Sequence, residues 1–146
     1  MDSNNRDPVR EYLTSVVEAR MEIKRLQHKV AQLEAQATKT TNVLTGMPRG
    51  GGSDRDKVLA TLADLTSDYC RRIAEAEKRE RDVDLFIQSI PSRDSRLILR
   101  LRYIEGFGWR KVLTALGKYG IHITERQMFR LHGKALQEAR ERFEWR

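Results

Sequence analysis

The chain has 146 residues, 34% of them charged and 7% aromatic, with 3 prolines and a net charge of +7, which suits one compact domain or a small domain with an extended helical element and excludes a large doubly wound α/β core. The single Cys70 excludes an internal disulfide and has no companions for a zinc site, as befits a reducing cytosol. The polar stretch from Met1 to Asp7, with no apolar run near the roughly 18 residues of a membrane span, predicts a soluble cytoplasmic protein without membrane association.

Asp7-Pro8 reads as an N-cap and first helical position, since proline loses nothing where the amide would be unpaired anyway. From there Tyr12, Val16, Ala19, Ile23, Leu26, Val30, Leu33, Ala37, Thr40 and Leu44 follow one another in alternating steps of four and three. This is a heptad seam on a long helix. The run Gly46-Met47-Pro48-Arg49-Gly50-Gly51-Gly52 breaks it. Ser53 or Asp54 can cap the next helix, with Asp56 in its first turn. A second seam runs through Leu59, Leu62, Thr66, Tyr69, Ile73, Ala76, Glu80, Val83, Ile87 and Ile90, with Thr66 and Glu80 as polar interruptions. Two similar seams around a short glycine-rich linker predict a long antiparallel helical hairpin with arms about 55 Å long. The spacing leaves open whether each seam meets the other arm, a second subunit or both, and so leaves room for a homo-oligomer.

Pro91 ends the second arm, and Ser92 caps a series of shorter helices. Residues 93 to 105 predict one helix, stopped by Gly106; Gly108 caps Trp109 to Leu116 with Gly117 at C′; Thr124 caps Glu125 to about Phe143. The predicted fold is therefore all-α. A helical hairpin over residues 1–91, with arms at about 8–45 and 54–90 and a linker at 46–52, precedes a small three-helix helix-turn-helix domain over residues 92–146.

Residues 1–53, 54–91 and 92–146 carry net charges of +2, −2 and +7. An excess confined to the carboxy-terminal third points to a polyanionic partner, most often nucleic acid. Catalytic and cofactor constellations do not form. The glycine run lacks the following Lys-Ser or Lys-Thr of a phosphate loop, and no nucleophile stands at motif spacing from a base. His28, His122 and His132 are too scattered for a metal or catalytic site and read as surface or DNA-facing side chains. Neither an enzyme, a cofactor nor a metal is expected.

The last helix places Met128, Leu131, Ala135 and Leu136 on one side, and Arg126, Gln127, Arg130 and Lys134 on others. Arg and Gln in its first turns match guanine and adenine edges in the major groove, which a recognition helix reads mainly with its N-terminal residues. Arg110 and Lys111 occupy the first turn of the preceding helix, where positive charge is unfavourable by about 0.3–1 kcal/mol unless a phosphate offsets it. Arg93, Arg96 and Arg100 could extend that phosphate track. The candidate contacts to double-stranded DNA are thus Arg126, Gln127, Arg130, Lys134, Arg110, Lys111 and Thr124 at the helix start.

Leu99-Arg100-Leu101-Arg102-Tyr103, Gly106 and Phe107-Gly108-Trp109-Arg110-Lys111-Val112-Leu113-Thr114-Ala115-Leu116-Gly117 together resemble the promoter-reading, carboxy-terminal helix-turn-helix of bacterial sigma factors, over roughly residues 93 to 142. With the two-helix amino-terminal region and Arg130-Leu131-His132-Gly133-Lys134-Ala135-Leu136, the chain resembles the phage-encoded sigma-like regulators of the RinA and ArpU type. That resemblance implies activation of phage late or packaging genes with host RNA polymerase, in the cytoplasm of a bacterial host. The leading expectation is a sequence-specific DNA-binding transcription regulator whose hairpin mediates oligomerisation or polymerase contact. A small terminase subunit, a phage packaging adaptor, also joins a helix-turn-helix to helical oligomerisation segments, and a purely structural coiled coil would bind no DNA.

Overall fold

The Asp7 carboxylate accepts a hydrogen bond from the Val9 amide at 3.1 Å, satisfying one of the donors that a helix start leaves open, and α1 runs from Pro8 to Leu44. The computed structural model describes residues 7–44 and 52–144; of the expected linker at 46–52, residues 46–51 lie outside them and Gly52 instead opens the second helix. Helix α2 spans Gly52–Gln88, with Asp54 in its first turn. Three further helices follow, α3 (Arg93–Leu99), α4 (Trp109–Lys118) and α5 (Glu125–Glu144), and a π-helical segment, Arg100–Ile104, continues α3. The fold is all-helical, with no strand among the described residues.

The chain forms two compact units. One is Arg20–Glu77, made of the outer parts of α1 and α2. Here Leu26, Val30, Leu33, Ala37 and Thr40 are buried or half-buried while every residue between them is exposed, as the heptad spacing predicts. On α2, Leu59, Leu62, Thr66, Tyr69, Ile73 and Ala76 are likewise withdrawn from solvent. Glu22 joins the arms. Its carboxylate takes Arg25 Nη2 at 2.9 Å from its own helix and Arg72 Nη2 at 2.8 Å from the other, and the Arg25 hydrogen bond, aided by Arg72, holds that carboxyl below the usual range. Such an exposed pair adds little stability.

The other unit takes the described residues up to Ala19 and from Lys78 onward. Its core draws Val9, Leu13 and Val16 from α1, Val83, Phe86 and Ile87 from α2, and Ile90 just beyond. These residues surround Ile98 and Leu99 of α3, Leu101, Tyr103 and Ile104 of the π segment, Val112 and Leu116 of α4, and Met128, Ala135, Leu136 and Ala139 of α5. Tyr12, Phe86 and Phe143 form an aromatic cluster with ring centroids 5.5 to 5.9 Å apart. The compact unit is thus cut differently from the division at residue 91 that Pro91 suggests, because the apolar seam continues past the hairpin and closes the core of the carboxy-terminal helices.

Two local departures have clear causes. The expected single helix over 93–105 changes to π geometry at Arg100, where the Glu105 amide reaches back to the Arg100 carbonyl at 2.9 Å. The expected C′ glycine of α4, Gly117, lies inside the helix; the left-handed residue is Gly120, at φ 86°. Ile121 N donates to Leu116 O at 2.9 Å and Gly120 N to Gly117 O at 3.1 Å, the paired bonds of a Schellman ending.

A fragment beginning at Ser92 would keep the three short helices but lose the core contributions of α1 and α2. It should show no cooperative thermal transition where the full chain shows one; a cooperative, protected fold in that fragment would contradict the shared core.

Candidate nucleic-acid interface

Helices α4 and α5, with the turn between them, form the helix-turn-helix. Gly108 stands at the N-cap of α4 in extended geometry, and its carbonyl accepts from Val112 N at 2.9 Å. At the start of α5, Gln127 N donates to Thr124 Oγ1 at 3.2 Å while Thr124 N donates to Gln127 Oε1 at 2.9 Å. This reciprocal capping box satisfies two donors at the helix start. Gln127 therefore has a structural role as well: its Oε1, the acceptor that a bidentate adenine contact uses, takes the Thr124 amide. Thr124 serves as the cap, and Gln127 keeps its side-chain NH2 and the second lone pair of Oε1 for a ligand.

Helix α5 divides cleanly. Met128, His132, Ala135, Leu136 and Ala139 are buried and Leu131 is half-buried, whereas Arg126, Phe129, Arg130, Gly133, Lys134 and Gln137 are exposed. No ion pair among the described residues engages Arg126, Arg130 or Lys134. Arg110 and Lys111 do not share one track. Successive helical residues diverge by about 100°, and Lys111 Nζ lies over the Phe107 ring, 4.1 Å from its centroid. Lys111 faces a groove of about 410 Å³ between the π segment and α4, with Arg100, Lys118 and Tyr119 also on its walls. Arg110 remains exposed at the start of α4.

Most of the suggested extension of the phosphate track is committed internally. Arg96 Nη1 donates to the Ile90 and Pro91 carbonyls at 2.7 and 2.8 Å, closing the end of α2 onto α3. Arg100 pairs with Asp84 at 2.9 Å. Arg93 stays exposed.

The largest surprise is His132, which is buried rather than surface or DNA-facing. Its Nε2 shares a 2.9 Å hydrogen bond with the Tyr103 hydroxyl, and the Trp109 ring meets it edge-on with centroids 4.6 Å apart. The Arg102 guanidinium lies 4.2 Å from the Trp109 centroid and donates to Phe107 O at 3.0 Å, while Phe129 packs against Trp109 at 5.2 Å. These side chains lock the π segment, the first residue of α4 and the middle of α5 together. Burial, with the Arg10 and Arg102 charges, pushes His132 down to about 4, and burial likewise raises Tyr103. The helical spacing of 128, 132, 135 and 139 carried the signal for His132, but a polar residue type masks it.

No group of three or more potential metal ligands occurs among the described residues, nor any helix there long and apolar enough to cross a membrane. No protein family, curated protein or solved structure matches the chain.

Because His132 is neutral in the fold down to about pH 4 while an unfolded histidine takes a proton near pH 6.5, the unfolded state binds more protons between those values. Stability should therefore fall as pH drops from about 6.5 to about 4, by on the order of 1–3 kcal/mol from this residue. Denaturant titrations of the wild type and His132→Gln at pH 7 and pH 4.5 test this: the wild type should lose more stability than the variant, and equal losses would contradict a buried neutral histidine.

Proposed function

We propose that the protein is a non-enzymatic, sequence-specific regulator of transcription that binds double-stranded DNA through α4 and α5. The observation that carries this reading is the division of α5, whose inner face is fixed by the core while Arg126, Arg130 and Lys134 project from the exposed face without internal partners. A rigid helix presenting guanidinium groups in its first turns suits bidentate recognition of guanine in the major groove. Lys134, one turn further on, suits a phosphate. Arg110 at the start of α4 suits a backbone phosphate, which would offset its unfavourable position at the positive end of the helix dipole.

The resemblance of Leu99–Gly117 to the sigma-factor helix-turn-helix supports the further step to a phage late-gene or packaging-gene activator acting with host RNA polymerase in a bacterial cytoplasm. In that reading the hairpin serves oligomerisation or contact with the polymerase. The genomic fragments retained by the purified protein test it: enrichment of promoter regions is expected, and enrichment of packaging-initiation sites, or no enrichment, would contradict it.

The residues divide by role. Arg126→Ala and Arg130→Ala should each cost about 1–3 kcal/mol on the preferred site and little on random duplex. Arg110→Ala should weaken all duplexes alike and lower the salt slope by roughly one. Binding measured on selected and random duplexes at two salt concentrations checks this; equal losses on both for Arg126→Ala and Arg130→Ala would place those residues on phosphates.

A further inference from the structure

Gly133 stands in the middle of α5, where glycine is the poorest helix former after proline. Three other glycines of this unit have local reasons: Gly106 and Gly120 have φ of 72° and 86°, and Gly108 occupies an N-cap; Gly117 is half-buried inside α4, where a Cβ would make ordinary contact with the His122 ring at 3.7 Å. Gly133 has none of these: its φ is not positive, and a Cβ built there meets nothing within 4 Å. Neither backbone geometry nor internal packing asks for the missing side chain. Glycine's remaining use is the close approach of a second body to the helix.

The surroundings of Gly133 indicate what that body is. Arg126, Arg130 and Gln137 fall within about 60° of it around the helix, with Arg130 about 4.5 Å and Arg126 about 10 Å toward the N-terminus. Exposed positions of α5 from Arg126 to Gln137 include three cations and no carboxylate. On one flank the Phe129 ring is held against Trp109. A small, bare spot among exposed cations, on a helix anchored by its other face, fits a polyanion brought against the helix backbone.

We infer that Gly133 is the point of closest approach between α5 and a DNA duplex. The missing side chain lets the helix sit deeper in the major groove, and that depth brings Arg126 and Arg130 to base edges instead of leaving them at the phosphates. The inference rests on the proposed DNA-binding function and adds a residue that controls fit.

Its signature is an opposition of sign between stability and binding. Gly133→Ala and Gly133→Leu place good helix formers in open space, so both should raise the melting temperature by a few degrees. Both should weaken binding to duplexes selected by the wild type from a random-sequence pool, by about tenfold for Ala and more for Leu, with reduced discrimination against random duplex. Wild-type selection followed by unchanged affinity in both variants would overturn the inference and leave DNA binding standing. A lowered melting temperature for Gly133→Ala would also overturn it, because the glycine would then serve the fold. If the wild type selects no duplex at all, the proposed function itself fails and the inference falls with it.

Discussion

The burial of Val9, Leu13 and Val16 against the carboxy-terminal helices is the contact on which the rest depends. Three short helices of about 50 residues enclose too little apolar surface to stand securely alone. In this chain the start of α1 and the end of α2 supply the missing wall. Asp7 reinforces that closure, since its carboxylate caps α1 and also takes the Arg140 guanidinium of α5 at 2.7 Å. Burial works to raise that carboxyl, yet the Arg140 hydrogen bond, together with the Val9 amide, leaves it below its ordinary value. The beginning of the chain thus holds the inner face of the helix proposed to read DNA.

Positive charge in the last third is sorted by this architecture. Arg96 and Arg102 tie down backbone carbonyls, Arg100 and Arg140 pair with carboxylates from α2 and the start of α1, and Arg142 Nε donates to Ser89 Oγ at 3.3 Å. Arginine suits such roles because its planar fork satisfies several acceptors at fixed geometry. The other exposed cations of this third are Arg93, Arg110, Lys111, Lys118, Arg126, Arg130 and Lys134, of which Arg110, Arg126, Arg130 and Lys134 are the ones proposed to meet DNA. A count of charges overstates the interface, whereas their placement narrows it to a few side chains.

The long helices were readable in the sequence because heptad spacing is a local, repeated signal, and burial at Leu26, Val30, Leu33, Ala37 and Thr40 follows it position by position. The Thr124 cap was readable for the same reason. Long-range effects were not. The π turn at Arg100 has no residue type of its own, and the Schellman ending needed the three-dimensional path to choose Gly120 over Gly117. His132 looked like a surface residue because its partners Tyr103 and Trp109 are distant in sequence. The type of Gln127 suits adenine, and only geometry shows that its Oε1 also closes the cap.

The proposed function requires that the exposed face of α5 lie against duplex DNA. Backbone amide shifts of the full chain, followed by NMR as a selected duplex is added, test it most directly. The largest changes should fall from Thr124 to Gln137 and at the start of α4 around Arg110, with those of Arg20–Glu77 nearly still. Changes concentrated in Arg20–Glu77, with α5 unaffected, would contradict it.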